Sequence, residues 1–124
     1  MKYPAVTAYI LHILATDAFL KNKTPTEINN GQCEEFASLL EDKFPNGDML
    51  WGDEIPEKFN ADIYEPSFHC FFQYQGEDCE GKAIFYDAEC PNGVASPVEL
   101  PFYKRQRQRI LKRRQLLIDK SIII

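Results

Sequence analysis

GQCEEFASLLEDKF, residues 31–44, spaces Phe36, Ala37, Leu39, Leu40 and Phe44 along one side of a helix and puts Glu34 and Glu35 at its positively polarised start. The spacing predicts a helix over 33–44, stopped by Pro45-Asn46-Gly47. Cys33 opens that helix directly after Asn30-Gly31-Gln32. Free amides and aligned peptide dipoles at a helix N-terminus stabilise an anion, so a thiol there is inclined to ionise, and the thiolate is the nucleophilic form. The plainer reading is a small buried residue at a helix start.

Downstream, HCFFQY (69–74) and AIFYDAE (83–89) are aromatic-rich runs separated by QGEDCEGK, which predicts antiparallel strands over 68–74 and 83–89 joined as a hairpin. Pairing Tyr74 with Ala83 sets His69 opposite Ala88 and leaves Asp87 one residue out of register. A bulge or a one-residue shift then brings Asp87 alongside His69. An acceptor on one imidazole nitrogen lets the other take a proton, the chemistry a thiol nucleophile needs. The plainer reading is a solvated strand-end histidine beside a turn aspartate. His12, the one other histidine, is expected at the edge of the core, held by one hydrogen bond. His69 is therefore the candidate base.

Outward from this centre, Val6, Tyr9, Ile10, Ile13, Leu14, Ala18 and Leu20 predict a first helix over 4–21. NKTPTEINNGQ (22–32) reads as a turn-rich connection, 48–67 as a long loop and CPNGVASPVELP (90–101) as another connection. Tyr103, Ile110, Leu111, Leu117 and Ile118 predict a third amphipathic helix over 102–119 with basic residues on its other faces. The final SIII is not assigned. The pattern is α+β: an N-terminal helix, a cysteine-bearing helix, a small antiparallel sheet and a basic C-terminal helix. With 124 residues, 44% hydrophobic and 27% charged, one domain over 1–124 with a single core is expected.

No apolar run reaches the roughly 20 residues that span a bilayer, which excludes a transmembrane helix. His12, Thr16 and Asp17 interrupt the opening apolar stretch and no cleavage site follows, so no signal peptide is read and a cytoplasmic location is expected. Cys33, Cys70, Cys79 and Cys90 form no CxxC pair and are expected to be reduced thiols, with Cys79 and Cys90 able to pair in an oxidising environment. Charge is segregated. Residues 1–103 hold six Lys and no Arg against eighteen Asp and Glu, twelve negative charges in excess, whereas 104–124 hold eight basic residues and one acid. P-loop and dinucleotide motifs are absent and no cofactor is expected.

GQCEEFASLL resembles the nucleophile helix of the papain-like/transglutaminase-like cysteine enzyme superfold, in which Gly-x-Cys enters a helix with an aromatic residue three positions on. HCFFQY, a glycine-containing turn and AIFYDAE resemble that superfold's following strands, which carry first the His and then the Asp. The resemblance spans 31–89. It implies Cys33 as nucleophile, His69 as general base and Asp87 as the residue that orients it, in a cysteine hydrolase or acyltransferase acting on an amide or peptide bond, hydrolysis being favoured. Members of the superfold often have Trp shortly after the His and before the Asp; here Phe71-Phe72 and Phe85-Tyr86 stand there. Two clear strands also fall short of the superfold's sheet, so further strands are required within 48–67 or the tail. The small size suits a phage- or mobile-element-borne protein.

Acyl transfer needs donors for an oxyanion; the Cys33 amide is one, and Gln32 and Trp51 are candidates for the second. Glu34, Glu35, Asp53 and Glu54 suit a basic or amide-bearing substrate; the plainer reading is a solvated acidic face. The alternatives are a zinc site from His69, Cys70, Cys79 and Cys90, whose spacing lacks a knuckle, and a binding module acting through KRQRQRILKRRQ (104–115). In the latter, Arg105, Arg107, Arg109, Arg113 and Arg114 would contact an acidic protein or phosphates, although the acidic body disfavours nucleic acid.

Overall fold

The computed structural model describes residues 2–55, 69–76 and 82–123. Among them, four helices and one four-stranded antiparallel sheet make an α+β fold.

Helix α1, Pro4–Thr16, begins with Pro4 in its first turn, where the missing N–H costs no bond, and buries Val6, Ile10 and Ile13. It ends earlier than its periodicity predicts because Asp17 is extended (ψ 135°) and its carboxylate accepts the Phe19 N–H at 2.9 Å. Leu20 still reaches the core through the turn that follows.

The segment expected to be a connection contains α2, Pro25–Gly31. Thr24 caps it by accepting the Glu27 N–H at 3.2 Å, and the Glu27 carboxylate accepts the Thr24 N–H at 3.0 Å. Thr24-Pro25-Thr26-Glu27 is a capping box with proline at the first helical position, a start signal hidden by the turn formers Asn29, Asn30 and Gly31. Helix α3, Cys33–Lys43, follows after the break at Gln32 and buries Phe36, Ala37 and Leu40.

The sheet is a meander, β1 (Asp48–Trp51), β2 (Cys70–Tyr74), β3 (Ile84–Asp87) and β4 (Cys90–Val94), in that spatial order. β1 lies in the span expected to be loop; Gly47 leads into it where any Cβ would fall onto the Phe72 ring. β4 was obscured by its Pro91 and Gly93. It is an edge strand, which tolerates proline, and Gly93 takes φ +76° with its α-carbon against Ile84 and Tyr86. The β2–β3 register differs from the expected one by a residue, since Tyr74 pairs with Ile84 and not Ala83. Extending that ladder sets Asp87 across from Phe71, two residues from His69, and so on His69's face of the sheet.

Both faces are covered. Phe72, Ile84 and Tyr86 pack beneath α1 and α3 with Val6, Ile10, Phe36 and Leu40. Phe71 and Phe85 form a second core with Ile55, Leu100 and Tyr103 on the opposite face. β3 is consequently buried at all four positions, which is why it reads as a continuous run and not an alternation. Tyr3 ties the hairpin to α1: its hydroxyl lies 2.8 Å from the Lys82 carbonyl and accepts the Gly76 N–H at 2.9 Å. Tyr3→Phe is expected to lower unfolding stability by about 1 kcal/mol, measured by urea titration, by removing the partner of two part-buried backbone groups.

The C-terminal helix α4, Pro101–Ile123, runs through most of SIII. Tyr103, Gln106 and Ile110 are buried, but the apolar face expected to continue through Leu111, Leu117 and Ile118 does not: these side chains are exposed, Leu117 by 66%. The helix leaves the sheet after Ile110, and at 1.5 Å per residue its remaining thirteen residues extend about 20 Å. No helix among the described residues is long and apolar enough to cross a membrane.

Candidate active site

Cys33, at the start of α3, and His69, immediately before β2, meet at one end of the sheet. His69 Nε2 lies 2.9 Å from Asp87 Oδ2, with both residues buried. The second Asp87 oxygen accepts the Glu89 N–H at 3.0 Å. With Nε2 engaged by the carboxylate, Nδ1 is the imidazole nitrogen left for the Cys33 thiol. The Cys70 N–H donates to Cys33 Sγ at 3.4 Å.

Burial of Cys33 works against ionisation, but the neighbouring His69 ring and its charge, the Cys70 amide and the Glu34 amide outweigh it, so the thiol pKa falls below its ordinary value. His69 moves the opposite way. Burial disfavours the imidazolium, and the Asp87 hydrogen bond together with the charges of Asp87 and the neighbouring Cys33 more than compensates, raising its pKa. The two shifts favour a thiolate–imidazolium pair. Burial and the neighbouring Cys33 charge push Cys70 up to about 12, and burial also raises Cys90, so Cys33 is the one described cysteine inclined to ionise.

Helix α4 braces this centre. Phe102 stacks on the imidazole with centroids 4.2 Å apart and planes 12° from parallel, and Tyr103 meets it edge-on at 5.8 Å. Arg105 grips Glu89 with two hydrogen bonds, 2.8 and 2.7 Å, and Glu89 also accepts from Asn29 Nδ2 at 2.8 Å and Thr26 Oγ1 at 3.1 Å. The Arg105 hydrogen bonds hold the Glu89 carboxyl below its usual range against the opposing effect of burial. α2, α4 and the β3–β4 turn are thus joined through one carboxylate two residues from Asp87. Arg105, expected to serve a partner, is instead committed to this internal pair.

A cleft of about 350 Å³ opens beside Cys33 and His69, with Asn29, Glu34, Glu35 and Trp51 among its walls. Trp51, expected in a loop, ends β1 and lines the cleft. Gln32 is not among the described lining residues, nor are Asp53 and Glu54, because Gln32 is the pivot between α2 and α3 and the two acids continue beyond Trp51 in a 3₁₀ turn. His12 is exposed on α1 instead of packing at the core edge. Arg107 is half-buried, and Arg109, Arg113 and Arg114 are exposed along α4. Among the described residues no group of three or more His, Cys, Asp or Glu side chains is arranged to hold a metal ion; Cys79, and with it the Cys79–Cys90 pairing, lies outside those residues.

Sequence reasoning missed Asn29, Glu89 and Phe102. Asn29 lay in a segment read as a turn, and nothing in the local sequence shows that α4 folds back to place Phe102 on His69. No protein-family model, curated protein or solved structure matches the chain.

Proposed function

We propose that the protein is a cysteine hydrolase of the papain-like/transglutaminase-like kind, cleaving an amide or peptide-type bond through Cys33, His69 and Asp87. The observation that carries this reading is the buried His69–Asp87 pair at 2.9 Å, set beside a thiol of lowered pKa at the start of a helix. Cys33 Sγ⁻ adds to the acyl carbon and the carbonyl π electrons move to oxygen, where the Cys33 amide and a donor from the Trp51 side of the cleft stabilise the charge. Collapse breaks the C–N bond, and the leaving amine takes the proton from His69, leaving a thioester. Water then gives His69 a proton as it adds to the thioester carbon, and collapse releases the carboxylic acid and restores the thiolate–imidazolium pair. An amine in place of water gives acyl transfer by the same steps.

The test is the pH dependence of iodoacetamide alkylation at Cys33, read by peptide mass spectrometry. Wild-type Cys33 is expected to titrate below its ordinary 9.0. In His69→Ala the apparent pKa is expected to rise above that of the wild type, since burial is then opposed by the Cys70 and Glu34 amides without the imidazolium. A titration indifferent to His69 overturns the proposal.

A second reading is favoured by the projecting half of α4, where Leu116, Leu117 and Ile118 are exposed among Lys112, Arg113 and Arg114. Such a surface suits an acidic protein partner, contacted by Arg107, Arg109, Arg113 and Arg114. Neutralising these four would abolish partner capture while leaving Cys33 alkylation unchanged.

A further inference from the structure

Both oxygens of Asp87 are assigned. Oδ2 faces His69 Nε2 at 2.9 Å, and Oδ1 accepts the Glu89 N–H at 3.0 Å. The place of the Glu89 backbone therefore sets how the carboxylate is turned toward the imidazole. Glu89 is the second residue of the two-residue turn Ala88-Glu89 between β3 and β4, closed by the pairing of Asp87 with Cys90. Turns of this length close without side-chain contacts, yet four hydrogen bonds reach the Glu89 carboxylate, two from Arg105 on α4 and one each from Thr26 and Asn29 on α2.

Asn29 serves that carboxylate at a cost to itself. Glu89, held ionised by Arg105, only accepts, so Asn29 turns Nδ2 to it, and its buried Oδ1 is left without a hydrogen-bond partner among the described residues. Arg105 follows Phe102 by three residues on α4, the spacing that sets both on one helix face. That face touches both halves of the pair, Phe102 on the imidazole and Arg105 on the residue that holds Asp87. The guanidinium also feels the Asp87 charge, and Glu89 engages both arms of its fork, which keeps it off the carboxylate that His69 uses.

We propose that Glu89, clamped by Arg105, is a positioning residue for the His69–Asp87 pair: it fixes the β3–β4 turn so that its own N–H holds one Asp87 oxygen and leaves the other for His69. This role rests on the cysteine-hydrolase reading and deepens it.

The test is the pH dependence of iodoacetamide alkylation at Cys33 in the whole chain, with urea unfolding measured alongside. Glu89→Ala with Arg105→Ala removes the clamp and no net charge. The apparent pKa of Cys33 is expected to rise by about half a unit to one unit, toward the His69→Ala value, which slows alkylation below both pKa values about three- to tenfold. Arg105→Lys keeps the charge, loses the two-armed grip and should shift the titration part of the way. In an Asp87→Asn background neither change should shift it further, because the clamp acts through that carboxylate. Tyr3→Phe loosens the hairpin at its other end and should leave the titration at its wild-type value.

A clamp-free variant that loses stability yet titrates at Cys33 like the wild type overturns the role of Glu89, as does an equal shift with and without the Asp87 carboxylate. In both cases the His69→Ala shift remains, and with it the hydrolase reading. A wild-type titration indifferent to His69→Ala overturns both. If the double variant does not fold, Arg105→Lys decides by the same comparison.

Discussion

Cys33→Ala is expected to abolish turnover of aminoacyl-aminomethylcoumarin amides, a loss of about 10³-fold or more, while thermal unfolding stays close to that of the wild type. The side chain is half-buried and its replacement removes one sulfur without stranding a charge, so the effect falls on chemistry and not on the fold. His69→Ala should cost roughly 10²-fold or more, because the thiolate loses its counter-charge and the leaving amine its proton donor. The two losses should not add, since the pair acts as a unit. Turnover should follow a bell-shaped pH profile. Its acid limb reports formation of the thiolate, shifted below the ordinary cysteine value, and its alkaline limb reports loss of the imidazolium proton, shifted above the ordinary histidine value. Retention of wild-type turnover by Cys33→Ala would exclude the mechanism.

Asp87→Ala is expected to destabilise the fold by about 3 kcal/mol, read by urea unfolding at several pH values. The substitution strands the buried His69 ring and the Glu89 N–H, both of which Asp87 satisfies. The His69 part of this loss depends on pH. Its folded pKa lies above the usual 6.5, so its contribution is complete below about 6.5 and disappears as pH rises through the raised folded value. The gap between wild type and Asp87→Ala should therefore be widest at mildly acidic pH and narrow in alkali. A gap that widens toward alkaline pH would show that Asp87 does not stabilise the imidazolium. The variant should also raise the Cys33 alkylation pKa by weakening that charge.

The elements most legible in the sequence were the long helices and the central strands. The α3 stripe of Phe36, Ala37 and Leu40 and the α1 stripe of Val6, Ile10 and Ile13 were readable because burial of one face imposes regular spacing, whereas β2 and β3 were readable as aromatic runs because both faces of the sheet are covered. Short elements held by tertiary contacts were not. β1 and β4 are four and five residues long and owe their conformation to ladder bonds with β2 and β3, and the Pro91 and Gly93 that look like a turn are accommodated by the edge position. The α4 face was legible only as far as the sheet reaches; beyond Ile110 the same amphipathic pattern meets no surface.

At the candidate site, local sequence was enough to nominate Cys33, His69 and Asp87, because a helix start, a strand end and a hairpin carry recognisable residue patterns. Whether His69 and Asp87 share a face was a question of a single-residue register, which the cross-strand packing of Phe72 against Tyr86 and Tyr74 against Ile84 decides. The Phe102 stack, the Arg105–Glu89 clamp and the unsatisfied Asn29 oxygen join residues far apart in the chain. Residue types and their periods determine the longer elements, α1, α3, β2 and β3, and nominate the side chains able to carry reactive chemistry. Which of those side chains meet, and which basic residues are used internally, depends on non-local packing, whose contacts leave no local period to read.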